Sequence, residues 1–463
     1  MTNRLNDLMK LSDTDGAVDI AAGRLEPAQY QDNFTDMLPP LDRNQAVVES
    51  NRCLYCYDAP CIEACPTDID IPTFIKKISS GNTKGAAVEI LNANIMGGAC
   101  ARVCPVEELC EEACVRNTQS GQPIKIGQLQ RFATDFLFAR NDAQVFTRKS
   151  STGKKIAVVG AGPAGLSCAH GLSREGHDVV VYEAKPKAGG LNEYGIAAYK
   201  VPHDFAQREV DYILSLGGIE IKYGQAIGKD ITLQGLREKY DAVFLSIGMA
   251  GVNALGLEGE EMKGVENAVD YIEALRQAAD LSQMPVGRRV VVIGGGNTAV
   301  DMAVQIKKLG AEDVTLVYRR GPESMSATVH EQEFAKVNGV TVKHWAQPKR
   351  LIGHKGHVRE IEFEYTQIDD KGRLMGTGDH FTLLTDMVFK AIGQSFVATP
   401  LQSKGLDILE LTKKGRIAVN DDGQTSLDNV WAGGDCTEGQ DLTVAAVADG
   451  KKAAAAINRA LRK

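Results

Sequence analysis

Apolar and polar positions follow two different rhythms along this chain. Between about 41 and 130, IPTFIKKISS and GAAVEILNAN place apolar residues at three- and four-residue intervals, the spacing of helices with one buried face. Residues 1–40 form a polar lead-in with weak periodicity, and 131–153 read as a helix followed by the polar linker RKSSTGKK. From Lys154 the texture changes. IAVV is a short apolar run, GAGPAGLSCAHGLSREG reads as a glycine loop opening a helix, and VVVYEA is a second apolar run. Apolar runs of this length between helices predict the strands of a parallel sheet covered on both faces.

The pattern then repeats. KKIAVVGAGPAG at 154–165 returns as RRVVVIGGGNTA at 288–299. VFLSIG at 243–248 returns as VFKAIG at 388–393. Two related α/β units predict two dinucleotide sites of Rossmann type. The closing VWAGGDCTEGQDLTVAAVADGKKAAAAINRAL reads as strand, glycine loop and helix, too short for a domain, and is expected to complete the first unit. The expected organisation is α/β: a helical domain over 1–150, a first dinucleotide domain over 151–286 that resumes over 394–463, and a second inserted at 287–393.

Composition narrows the function. The chain has 463 residues, 47 of them glycine, and a net charge of −8. The acidic balance argues against general nucleic-acid or membrane-surface binding. No apolar run is long enough to span a bilayer, and MTNRLNDLMK has no apolar signal core, so a cytoplasmic location is expected. Of the ten cysteines, eight lie between Cys53 and Cys114. In a reducing compartment such density points to metal rather than disulfides.

The first glycine loop comprises Gly160, Ala161, Gly162, Pro163, Ala164 and Gly165. Its glycines permit a tight turn, close approach of a pyrophosphate and close packing of helix on strand. The helix N-terminus then offers free N–H groups to the phosphates. Glu183 ends the next strand, where a carboxylate suits ribose hydroxyls. Gly434 and Asp435, after the late strand, suit the ribityl chain of a flavin, so FAD is expected in this site. The second loop comprises Gly294, Gly295, Gly296, Asn297 and Thr298, with Ala299 in the third glycine's place. Its next strand ends in Arg319 and Arg320 instead of an acid. Guanidinium groups grip a 2′-phosphate that a carboxylate would repel, so this site leans to NADPH, with NADH as the alternative. No cysteine pair follows the first loop, so electrons must leave the flavin by another route. Cys168 and Cys436 read as packing residues.

The cysteine spacings are C53-x2-C56-x4-C61-x3-C65 and C100-x3-C104-x5-C110-x3-C114. Thiolates suit zinc or iron–sulfur clusters. Only one C-x2-C pair fits a zinc ribbon. The Cys65-Pro66 and Cys104-Pro105 steps match ferredoxins in which the cysteine before proline serves the other cluster, so two [4Fe–4S] clusters are expected. Counting thiols alone divides the eight into four and four.

The stretches RCLYCYDAPCIEACPTDIDIPTFI, GACARVCPVEELCEEAC and PIKIGQLQRFATDF, followed by GAGPAGLSCA, GGL, GGGNTAVD and AGGD, resemble the dihydropyrimidine dehydrogenase family. The likeness is to its N-terminal half and to its separate bacterial electron-input subunit, and it covers about 41–463. The small subunit of glutamate synthase shares the cysteine spacing and both loops; the DAPC and CPTDIDI wording is nearer the pyrimidine enzyme. The resemblance implies one cluster on Cys53, Cys56, Cys61 and Cys114. It implies a second on Cys65, Cys104, Cys110 and Gln130, with Cys100 a bystander. It also places Gly190 and Leu191 of the GGL step, and Lys200, at the flavin. Lys200 stands where the family has arginine, and Ser326 where some members carry a basic residue near the 2′-phosphate. Glu331 reads as a solvated helix face, with a place lining the nicotinamide pocket as the alternative. The implied activity is passage of electrons from NAD(P)H through FAD and the clusters to an FMN-containing catalytic subunit on another chain, which reduces uracil or thymine.

Overall fold

A computed structural model describes residues 25–140, 143–401 and 409–462. The chain forms two compact units. One contains the described residues of 38–193, 203–250 and 396–463; the other those of 25–37, 194–202 and 251–395.

The first unit joins the cysteine-bearing helices to the first α/β sheet. Ile71–Ser79 and Thr83–Ala93 are helical where the apolar spacing predicts them. Their N-termini are capped by Asp70 on Thr73 N–H and by Asn82 on Gly85 N–H, which satisfies donors a helix start leaves free. The helix expected from 131 starts earlier, as Ile126–Phe138. Phe74, Ile75, Ile90, Leu129 and Leu137 share one core with Ile156, Val158, Leu166 and Ile457, so the helices and the sheet fold as one body. The sheet is wholly parallel, in the order Val430–Ala432, Ala242–Leu245, Lys155–Val159, Asp178–Glu183, Ile219–Tyr223. The helix Thr443–Leu461 packs on Pro163–Arg174, where Gly450 sits so close to the Ala164 carbonyl that a Cβ would lie 2.1 Å from it.

The second unit repeats the parallel sheet, in the order Val265–Asn267, Met387–Lys390, Arg289–Ile293, Asp313–Val317, Val340–Lys343. Its edge strand moves the expected boundary at 286. Val265–Asn267 pairs with Met387–Lys390, and the helix Ala268–Gln277 buries Tyr271, Ile272 and Leu275 in the same core, so the main segment of this unit runs from 251. The helix Pro27–Asn33 also belongs here, with Tyr30 in that core, rather than to the cysteine-bearing domain. A three-stranded antiparallel sheet, Ala346–His354, His357–Ile368 and Leu374–Leu384, adds to the unit; the sequence pattern did not announce it. Among the described residues, no helix is long and apolar enough to cross a membrane.

Candidate cofactor sites

The cysteines fall into two groups. Cys53, Cys56, Cys61 and Cys114 line one cavity, whose other walls include Ile71, Ile75, Ile124 and Ile126. Burial pushes the Cys61 thiol up to about 12, and the neighbouring Cys114 and Cys53 push the same way. Crowded, half-buried thiols resist becoming thiolates one beside another, and a cationic metal centre among them removes that penalty. Four sulfurs facing one apolar space are a good fit for a cluster. Among the described residues, no three His, Cys, Asp or Glu side chains close around a single ion. The chain turns sharply around this cavity, with Tyr55 and Ala59 at φ +53° and +24°. Such backbone strain gathers at ligand clamps.

Cys65, Cys104 and Cys110 form the second group. The Cys104 thiol is raised first by its hydrogen bond with Cys100, then by burial and by Cys110 and Cys65. Burial raises Cys110, with Glu111 and Cys65 adding to it. Gln130 is buried on Ile126–Phe138 and donates from Nε2 to the Gly97 carbonyl at 2.7 Å. That bond fixes the amide and leaves its oxygen as the acceptor for a further partner. Cys100 is also buried and lies against Cys104. Gly97–Val103, the helix carrying Cys100, is tied down from elsewhere. Glu209 Oε1 accepts from Gly98 and Ala99 N–H, each at 3.0 Å. Burial pushes the Glu209 carboxyl up to about 7 against those two bonds. Its role depends on a partner more than a hundred residues away, which no local motif reveals.

The first glycine loop is built as its spacing requires. Gly160 has φ +99°, and a Cβ there would lie 2.3 Å from the Ser246 carbonyl. Gly162 caps Pro163–Arg174 in an extended conformation. Ala164 and Gly165 are buried in the first turn. Glu183 accepts from Ala161 N–H and Lys185 N–H, both at 2.8 Å, and so braces the loop from the next strand. Gly190, at φ +56°, packs against Gly162; Leu191 beside it is exposed. Gly434 donates to Asp449 and lies against Ala164. Burial raises the Asp435 carboxyl to about 6, with Asp441 adding and Arg416 opposing. The structure therefore brings together 160–165, 183, 190–191 and 434–435.

Lys200 departs from expectation. It lies in the second unit, where its ammonium bridges Asp301 at 2.8 Å and Glu331 at 2.6 Å. Burial opposes its charge, yet the two carboxylates hold its pKa above the ordinary value. Two buried acids thus already engage the cation that the resemblance places at the flavin. Glu331 is not the solvated face expected but largely buried, and burial raises its pKa more than Lys200 lowers it. Glu331 Oε2 has no partner among the described residues.

The second glycine loop repeats the first with small changes. Gly294 has φ +154°, and a Cβ would lie 2.2 Å from the Ala391 carbonyl. Gly295 packs on the Tyr318 ring and accepts from Ala327 N–H at 2.9 Å. Gly296 caps Asn297–Lys308, with Ser326 close to it. Asn297 and Thr298 open the helix, and Asn297 Oδ1 is buried without a partner among the described residues. Arg319 is exposed and Arg320 half-buried just past Asp313–Val317. Neither guanidinium has a side-chain partner among the described residues, which leaves both free for an anion.

Residues 154–450 match the pyridine nucleotide-disulphide oxidoreductase family, and residues 30–142 match dihydropyrimidine dehydrogenase domain II, a 4Fe-4S cluster domain. The chain is 35% identical over 435 residues to the NAD-dependent dihydropyrimidine dehydrogenase subunit PreT of Salmonella typhimurium, covering 94% of this chain and 98% of that one. It is 34% identical over 440 residues to the glutamate synthase [NADPH] small chain of Escherichia coli, covering 91% and 92%. Among solved structures, Mycobacterium tuberculosis FprA in complex with NADPH matches with a TM-score of 0.56 and 21% identity, over 67% of this chain and 85% of that one; this likeness concerns the fold alone.

Proposed function

The chain belongs to the pyridine nucleotide-disulphide oxidoreductase family, with a dihydropyrimidine dehydrogenase-type 4Fe-4S domain ahead of it, and from this premise we propose that it is the electron-input subunit of a pyrimidine-reducing enzyme. That it is a flavin and iron–sulfur oxidoreductase using a nicotinamide dinucleotide follows from the family. The finer reading concerns which residues hold the groups, and where the electrons go.

The observation that carries it is the joining of a four-cysteine cavity and the first dinucleotide loop in one folded unit. Cys53, Cys56, Cys61 and Cys114 would hold one [4Fe–4S] cluster. Cys65, Cys104, Cys110 and Gln130 would hold the other, Gln130 through its free amide oxygen. The first loop, with Glu183 and Asp435, would hold FAD, which would supply what no side chain here can: acceptance of an electron pair from the nicotinamide and its release one electron at a time. The protein's part is orientation. Glu183 braces Ala161, the N-terminus of Pro163–Arg174 would face a bound pyrophosphate, and Arg319 and Arg320 would offer charge to a 2′-phosphate, which supports NADPH.

The acceptor would be an FMN-bearing chain that reduces uracil or thymine. The relative of Salmonella typhimurium and the CPTDIDI wording support this reading. A second reading, input to a glutamate synthase, is supported by the Escherichia coli small chain at similar identity. The test is co-purification from the native host, followed by assay with uracil or with glutamine plus 2-oxoglutarate. The isolated chain should oxidise NADPH with artificial acceptors and leave uracil untouched. Uracil reduction by the purified single chain would overturn the division of labour. A partner active only on glutamine would transfer the chain to the second reading.

A further inference from the structure

The Cys65-Pro66-Thr67-Asp68 turn holds a polar contact that the cluster assignments leave unused. The Thr67 hydroxyl lies 3.3 Å from Cys65 Sγ. Thr67 is 1% exposed, and among the described residues its hydroxyl has no other partner. The turn is closed by Asp68 N–H donating to the Cys65 carbonyl at 2.9 Å, with Asp68 at φ +55°. Pro66 fixes one dihedral of the turn, and the β-branched Thr67 has a restricted χ1. Lys451, on Thr443–Leu461, sets its ammonium over the Thr67 and Ala93 carbonyls at 3.4 and 3.0 Å. Turn and lysine together hold the hydroxyl on the sulfur.

A sulfur bound to iron carries no proton. In that state the hydroxyl must be the donor. Reduction places more negative charge on the ligand sulfurs, and a fixed donor stabilises the reduced form more than the oxidised one. Hydrogen bonds to sulfur are among the levers that set cluster potentials. The other four cysteines have no such contact: among the described residues no side-chain hydroxyl bonds Cys53, Cys56, Cys61 or Cys114.

We propose that Thr67 is a potential-setting residue for the cluster held by Cys65, raising its midpoint through an O–H···S hydrogen bond. The proposal rests on Cys65 being a cluster ligand. It is tested on the full chain with both clusters reconstituted, by redox titration followed by electron paramagnetic resonance. Thr67→Val keeps the shape and removes the donor. Its Cys65-side cluster should titrate at a lower potential, so that the reduced fraction at a fixed poise falls several-fold. Iron content and the other cluster's midpoint should stay unchanged, and Thr67→Ser should restore the wild-type value. Thr67→Ala covers the case in which valine does not fit. Equal midpoints in wild type and Thr67→Val, with iron retained, would overturn the proposal. So would loss of iron in both Val and Ala variants with retention in Ser, since the hydroxyl would then serve ligand geometry. Retention of both cluster signals in Cys65→Ala would instead sink the ligand assignment, whatever Thr67→Val does.

Discussion

The two glycine loops share a backbone and differ in what stands around it. Each follows a buried strand, turns at a glycine of positive φ, and caps its helix with an extended glycine. Around the first stand single carboxylates: Glu183 braced on the loop and Asp435 just past the late strand. Around the second stand the free Arg319 and Arg320, with a buried Lys200–Asp301–Glu331 cluster on the loop helix and its neighbour. The shared backbone suits a pyrophosphate and says little about which dinucleotide it would belong to. Discrimination lies in charges brought from other segments.

The comparison breaks most visibly at Lys200. Lys200→Met strands two buried carboxylates, and removing one partner of such a group costs roughly 3–5 kcal/mol. Thermal or denaturant unfolding should show the loss, with flavin content preserved; loss of flavin without loss of stability would return Lys200 to the first site. Next comes Glu183→Ala, which leaves Ala161 N–H and the ribose without their acceptor. At roughly 1–3 kcal/mol for such a loss, FAD should be retained about 10- to 100-fold less tightly on dialysis, while binding at the second loop is unaffected.

Replacing both Arg319 and Arg320 by Ala sharpens the assignment of the second site. KM for NADPH should rise by about tenfold while KM for NADH barely moves. Equal increases for the two would remove the 2′-phosphate from the argument. The smallest effect belongs to Asp435. Its carboxyl titrates near 6 in the fold, above the ordinary 3.8, so the folded chain binds the extra proton. This group's contribution to stability therefore falls as pH rises from about 4 to about 6, and stays lower above that. In the flavin-free protein, Asp435→Asn should gain on wild type across that interval, by on the order of 1 kcal/mol. A difference in melting temperature that is the same at pH 4 and pH 7 would count against it.

What the sequence made legible was local. Both loops, Glu183, the cysteine spacing and the helices at 71–79 and 83–93 depend on neighbours a few residues away, so their spacing carries the information. The Lys200 cluster joins residues 100 and more apart, and Glu209 reaches back to Gly98 across a similar gap. Nothing in YKVP or QREVDY announces those partners. The boundary at 251 was hidden because the second sheet takes its edge strand, Val265–Asn267, from upstream of its own glycine loop. Three residues are too few to leave a periodic signal. The antiparallel sheet over 346–384 was hidden for another reason: Leu374–Leu384 has no fully buried position, so its alternation of half-buried and exposed residues is too weak to read as a strand.

The late strand Val430–Ala432 has a consequence for how the protein is made. The first sheet lacks this edge strand, and the helix over its glycine loop lacks Thr443–Leu461, until the ribosome has passed the whole of 251–395. The interrupting unit has its own core and all five of its strands by Lys390, so it is equipped to fold while its host is still half-built. During that interval the cysteine-bearing helices are already outside the ribosome, and their thiols wait longest for the completed fold around them.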